Sequence, residues 1–260
     1  MSVRITEITE RRASWRPVRA TLLAGATLSL LTLAAAVLLA VALVTLFRAR
    51  RLYGEVIAKP LSRLILRMWG VRLEVHQDEP FPQTQTVYVS NHSSTLDMFV
   101  LVALGLPDTR FVGAKDLDGF LRWMAPLGVF TVLMGTRWAP PPSRPAERAR
   151  WFAETECLLR RTGGSIYLSP EGQRVTTGKL GPFNSDNFQL AANLGAAIVP
   201  LYIEIPRTID PGKGFKALPG TVRVRVQPAI PTRGWTPGGL ETKVEAIHAL
   251  FERLHEARRA

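Results

Sequence analysis

The stretch Val87-Tyr88-Val89-Ser90-Asn91-His92-Ser93-Ser94-Thr95-Leu96-Asp97 runs from β-branched and apolar residues through a polar turn to an Asp that opens a new apolar segment. It reads as a buried strand, a turn and the first turn of a helix, with His92 just past the strand and Asp97 inside the helix start. A Ser or Thr between them is expected to cap that helix. Outward from this point the same alternation continues. Short β-rich runs lie at 71–75, 86–90, 111–113, 129–134, 165–169, 197–203 and 222–226. Helical patterns lie between and after them at 96–104, 117–124, 145–161, 187–194 and 240–258. Strands that alternate with helices describe an α/β protein with a mixed, mostly parallel sheet flanked by helices. The Pro-rich segment 139–145 and the Gly/Pro-rich segment 206–220 read as loops.

Upstream of the sheet the composition changes. Residues 20–47 carry no charge and are rich in Leu, Ala and Val, long enough as a helix to cross a hydrocarbon core of roughly 30 Å. A cleaved signal peptide would have a shorter apolar region, about 7 to 15 residues. Residues 52–69 form a second, amphipathic helix: Tyr53, Val56, Ile57, Leu61, Leu64, Ile65 and Met68 recur at helical spacing, and Arg51, Glu55, Lys59, Arg63 and Arg67 fall four apart. That basic stripe suits either lipid headgroups or the surface of a folded domain. Pro60 is expected to bend it. The pair reads as an N-terminal membrane-anchoring helix pair. Because the β pattern begins only near Val71, the anchor is expected to be separable from the domain that follows.

The net charge of +12 is unevenly spread. Through Arg72 there are twelve basic and three acidic residues, so +9 lies in that segment and only +3 in the rest. Charge that brackets an apolar segment points to anionic membrane lipids and away from nucleic acid. The single Cys157 forms no intrachain disulfide, which suits a domain in a reducing compartment.

Two elements carry chemistry. In the first, a five-residue offset across a turn lets the Asp97 carboxylate take the Nδ1–H of His92, leaving Nε2 as a lone-pair base. There is no G-x-S-x-G elbow, so in this arrangement the nucleophile is the substrate's own hydroxyl. His-x4-Asp alone also describes a surface histidine beside a helix, and on these residues both readings stand. The second element, Ile166-Tyr167-Leu168-Ser169-Pro170-Glu171-Gly172-Gln173-Arg174, is an apolar strand that ends in a turn bearing an acid and a cation. Gly172 there permits close backbone approach, and Pro-Glu-Gly is also an ordinary turn sequence.

Together these residues resemble the 1-acylglycerol-3-phosphate (lysophosphatidic acid) acyltransferases. The family's first motif, Asn-His-x4-Asp, matches Asn91, His92 and Asp97, and its third, Pro-Glu-Gly-Thr-Arg, matches Pro170, Glu171, Gly172 and Arg174. The run from Gly128 to Arg137 resembles the second motif, Lys115 sits where the family often has a Lys, and Ile198-Val199-Pro200-Leu201 resembles the fourth. Gln173 stands in place of the usual Thr, and Phe183-Asn184-Ser185-Asp186-Asn187-Phe188 stands where many members have a Phe-Lys-x-Gly sequence.

The resemblance implies three segments: a basic N-terminal segment at 1–19, a membrane helix plus amphipathic helix at 20–69, and an acyltransferase catalytic domain at 70–260. It implies a membrane-bound enzyme that moves a fatty acyl group from acyl-CoA or acyl-carrier protein to a lysophospholipid acceptor, giving phosphatidic acid in phospholipid biosynthesis. No cofactor, metal or nucleic acid is implied. His92 would be the base and Asp97 its partner, Glu171 and Gly172 would position the acceptor, and Lys115, Arg137 and Arg174 would hold its phosphate. The domain would face the cytoplasm from the inner membrane. Another lysolipid acceptor such as a lyso-aminolipid, a non-catalytic lipid-binding protein and a hydrolase are the alternatives.

Overall fold

The computed structural model describes residues 2–49, 52–115, 125–210 and 217–257, with residues 2–17 and 125 as backbone alone. Helix α1 (Ser2–Val44) contains the Leu- and Ala-rich segment, whose residues favour helix intrinsically. Leu31, Ala35, Leu38 and Ala42 recur along one side and are buried, whereas Leu22, Leu33, Leu43 and Val44 on other sides are exposed. The chain then reverses through Leu46 and Phe47, both at positive φ. A wide π-helical turn (Tyr53–Ala58) leads into α2 (Lys59–Met68), which has Pro60 in its first turn. Proline has no N–H to give to the residue four back, so the bend expected there appears as this change of helix type.

Seven strands follow among the described residues: β1 (Val71–His76), β2 (Thr86–Ser90), β3 (Thr109–Ala114), β4 (Arg137–Ala139), β5 (Ser165–Leu168), β6 (Ala197–Glu204) and β7 (Gly220–Val226). They form one sheet in the order β1-β7-β6-β2-β5-β3-β4. Neighbours are parallel throughout except for β6 with β7. The helices are α3 (Asp97–Leu104), α4 (Ala125–Leu133), α5 (Pro145–Thr162), α6 (Ser185–Leu194) and α7 (Leu240–Glu256).

Consecutive strand residues face opposite layers. Tyr88, Tyr167, Val199, Leu201 and Ile203 pack with α1 to α4, and Val87, Val89, Ile166, Leu168, Ile198 and Tyr202 pack with α5 to α7. Both faces are covered, which is why these strands read as unbroken apolar runs and not as alternating ones. The fold is the α/β arrangement expected, a mostly parallel sheet flanked by helices.

One expectation is corrected. Residues 129–133 are helical, as part of α4, Met134 lies in the turn after it, and the strand lies beyond at Arg137–Ala139. A short apolar run is ambiguous by periodicity, and packing of α4 on α1 decides it. The helix expected at 117–124 lies outside the described residues, as do 211–216 of the loop at 206–220 and residue 258 of the helix expected at 240–258, which ends at Glu256. The inner stripe of the apolar first helix shares one core with Ile65, Val100 and Phe130.

Candidate active site

Strands β2 and β5 are parallel neighbours, with Val89 opposite Leu168, so the loops after both emerge at the same edge of the sheet. That edge is where open α/β sheets place their sites. The β2–β6 ladder ends with Ser90 opposite Leu201. Asn91 then extends it with its side chain. Its Nδ2–H donates to the Ile203 carbonyl and its Oδ1 accepts the Ile203 N–H, both at 2.8 Å. This two-point clasp fixes the direction in which the chain leaves the strand.

His92 follows. Its Nδ1 lies 2.8 Å from Asp97 Oδ2, which also accepts the N–H groups of Ser93 at 2.8 Å and Ser94 at 2.9 Å. A carboxylate oxygen facing Nδ1 only accepts, so Nδ1 carries the proton and Nε2 keeps its lone pair. Asp97 is buried, whereas the His92 ring is about a third exposed (34%) and Nε2 has no hydrogen-bond partner among the described residues. Asp97 opens α3, where the unpaired N–H groups and dipole of the helix favour a negative charge. The residue at the cap position is Leu96, without a side-chain cap, so the Ser or Thr expected there does not serve. Ser94 Oγ instead accepts the Leu96 N–H at 2.9 Å and donates to the buried Asp210.

Glu171 stands on the far side of His92. Its Oε2 accepts the His92 N–H at 2.7 Å and its Oε1 accepts the Gly181 N–H at 2.8 Å. Burial pushes its carboxyl above the ordinary 4.5, partly offset by those two N–H groups. Gly172 makes the turn at φ +66°, and its N–H returns to the Ser169 carbonyl. At Gly181 a Cβ would sit 3.0 Å from Val175 Cγ2 and 3.4 Å from Glu171 Oε1, a tight fit that those side chains would have to relieve by a few tenths of an ångström. Val175 N–H donates to the His92 carbonyl at 2.8 Å, which brings the turn carrying Arg174 against the dyad. Arg174 is exposed and has no hydrogen-bond or ion-pair partner among the described residues.

His92, Asp97, Glu171, Gly172 and the Arg174 turn therefore come together. The other two cations named from the sequence are engaged on α5. Lys115 pairs with Glu147 at 3.6 Å, while Arg137 donates to Thr155 at 3.1 Å and lies over the Trp151 ring. Within Phe183–Phe188, Asn184 caps α6, Asp186 pairs with Arg148, and Asn187 donates to the Ser169 carbonyl. Below the dyad, Ser90 and Tyr167 hydroxyls are 3.0 Å apart, and burial raises the Tyr167 phenol well above its ordinary range, so it stays neutral. Sequence reasoning gave no role at the site to Asp210, Tyr167 and two histidines of α7. Only the histidines left a signal, a seven-residue spacing on one helix face.

Comparison with known proteins agrees. A sequence profile of the acyltransferase family matches residues 72–204. The chain is 27% identical over 207 residues to a Limnanthes alba 1-acyl-sn-glycerol-3-phosphate acyltransferase, covering 79% of this chain and 70% of that protein. It is 29% identical over 211 residues to the human alpha form, covering 80% and 73%. Against a chloroplastic relative from Arabidopsis thaliana it is 29% identical over 58% of its own length, and spans only 41% of that protein. The crystal structure of the 1-acyl-sn-glycerophosphate acyltransferase PlsC from Thermotoga maritima shares the fold, with a TM-score of 0.71 at 20% identity over 94% of this chain and 98% of that one. The match over half the chain, laid on the motifs gathered at this sheet edge, establishes that the chain belongs to the acyltransferase family.

Proposed function

We propose that this chain moves a fatty acyl group from acyl-CoA or acyl-carrier protein to the free hydroxyl of lysophosphatidic acid, giving phosphatidic acid at a membrane surface, with the domain on the cytoplasmic side. The observation that carries the reading is the 2.8 Å contact from His92 Nδ1 to the buried Asp97, with Nε2 left unpartnered among the described residues. His92 Nε2 takes the proton of the acceptor hydroxyl as that oxygen attacks the thioester carbonyl. The C–O bond forms, the C–S bond breaks, and the imidazolium returns the proton to the departing thiolate. Asp97 holds the tautomer and stabilises the imidazolium; a base placed in this way contributes about 10² to 10⁴ in rate. Glu171 acts by fixing the His92 backbone and the Gly181 loop, and Arg174 meets the anionic end of the acceptor. The names of the relatives support the acceptor, and the apolar segment Val18–Val44 supports the membrane.

A second reading keeps the chemistry and changes the acceptor. It is favoured by the engagement of Lys115 and Arg137 on α5, which leaves Arg174 to face an anion, whereas a phosphate monoester calls for several cations. Acylation of a panel of lysolipids, read by mass spectrometry, separates the two. Lysophosphatidic acid is expected to be the preferred acceptor. Arg174→Ala is expected to raise its KM far more than that of a lysolipid lacking the exposed phosphate. No preference in the wild type would promote the other acceptor.

A further inference from the structure

The segment between Pro170 and Asn184 carries Glu171 and Arg174 but has no helix or strand of its own. Its base is closed by the Asn184 N–H on the Pro170 carbonyl at 2.7 Å. Two histidines of α7 hold its outer course. His248 Nε2 lies 3.1 Å from the Gly181 carbonyl, and His255 Nε2 lies 3.0 Å from the Gly178 carbonyl. Residues seven apart lie on one face of a helix. A carbonyl only accepts, so both Nε2 atoms carry protons. In His255 the Nδ1 lone pair then faces the Tyr202 hydroxyl at 2.9 Å. The ring of His248 stands edge-on to Phe183, 4.7 Å between centroids, and Phe251 packs on the same Phe183.

These contacts lead to the dyad. His248 holds the carbonyl of Gly181, the N–H of Gly181 holds Glu171 Oε1, and Glu171 Oε2 holds the N–H of His92. Tyr202, which holds His255, immediately precedes Ile203, the residue clasped by Asn91. We infer that His248 and His255 are positioning residues of the acceptor site. They fix the 172–183 segment so that Glu171 and Arg174 keep their places relative to His92. The inference rests on the lysophospholipid acceptor proposed above. The requirement is an N–H donor at Nε2, which a glutamine amide also supplies.

The test uses the full chain in detergent. Hydrogen–deuterium exchange of peptides covering 172–183 is compared for wild type, the double variant His248→Ala/His255→Ala and the double variant His248→Gln/His255→Gln, alongside KM for lysophosphatidic acid and for acyl-CoA. Faster exchange of that segment is expected in the alanine pair, with the acceptor KM raised about tenfold, the acyl-CoA KM within twofold of wild type, and both changes largely reversed in the glutamine pair. Unchanged exchange, an unchanged acceptor KM, or an equal rise in both KM values would overturn the inference, the last being the mark of a merely structural role. If the wild type acylates no lysophospholipid, the function proposed above fails, and the exchange comparison still decides whether the histidines fix the segment.

Discussion

Asp97 Oδ2 accepts from the His92 ring and from two backbone N–H groups at once, and this decides what an amide would do there. In Asp97→Asn the amide oxygen must take the Oδ2 place, since an NH2 group there would meet three donors. The NH2 then falls where Oδ1 is buried without a partner among the described residues, at a cost of about 1–3 kcal/mol. The tautomer is kept but the charge is lost. Turnover is expected to fall at least about a hundredfold with the protein still folded, and His92→Ala should fall as far. Activity within a few-fold of wild type in either would sink the assignment of the dyad. Glu171 gives a pH-dependent prediction. Its carboxyl is raised by burial, so between the ordinary 4.5 and its raised value the folded chain holds a proton that the unfolded chain releases. Stability therefore falls as pH rises through that window. Glu171→Gln does not titrate, so wild-type stability relative to this variant should decline across the window and level off above it. A flat difference in thermal unfolding would contradict the shift. The variant should also lose activity, because one amide oxygen cannot accept from both His92 and Gly181.

Helix α1 shows how far an element can be judged from its own sequence. Its length and lack of charge are plain in residues 20–47, but the sequence does not say which side meets protein. In the structure Leu38 is fully buried while the adjacent Leu39 is 43% exposed. Leu38→Ala should cost about 2–5 kcal/mol and Leu39→Ala far less, read as thermal unfolding in detergent. Equal, small effects would mean that α1 is an appendage. The same limit explains other elements. Strand β2 was legible because all five residues are buried and Thr86 to Val89 are β-prone, and α5 because Pro145 opens it and Gly163 closes it. Strand β4 was not, since three residues carry no period, and α4 was misread because its Val and Thr residues favour strands until α1 packs on them. At the site, His92 and Asp97 were legible because their contact is local. Asn91 on Ile203, Ser94 on Asp210 and the α7 histidines on Gly178 and Gly181 join residues far apart in the chain, and no local pattern encodes them.

At the scale of the whole molecule the membrane association proposed above raises the question of how the domain would meet a bilayer. The apolar segment Val18–Val44 spans 27 residues, about 40 Å as a helix and more than the roughly 30 Å of a hydrocarbon core. Length alone would permit a full crossing, but the contacts oppose it. Near its start Arg19 donates to the Trp69 carbonyl and Thr27 accepts from the Trp69 indole; near its end Thr45 and Tyr53 hydroxyls are 2.7 Å apart. The return segment thus runs alongside α1 for most of its length. That segment is itself fastened to the domain, where Arg63 donates to the Ala103 carbonyl at the end of α3. A crossing α1 would draw charged α2 and part of the sheet layer into lipid, where unpaired polar groups cost several kcal/mol each. An α1 lying along the surface instead puts Leu22, Leu33, Val37 and Leu43, together with Leu46 and Phe47 at the reversal, into the apolar region and leaves the domain in water. Both ends of the segment should then lie on the domain's side. Cys157, exposed on α5, reports that side to a membrane-impermeant maleimide. In sealed vesicles of either orientation, Val18→Cys and Val44→Cys in a Cys157→Ser background should react only where Cys157 does in the otherwise unchanged chain, or stay protected until detergent dissolves the bilayer. Reaction of either position from the face opposite Cys157 would show that the helix crosses and that the contacts with Trp69 and Tyr53 do not hold in the membrane.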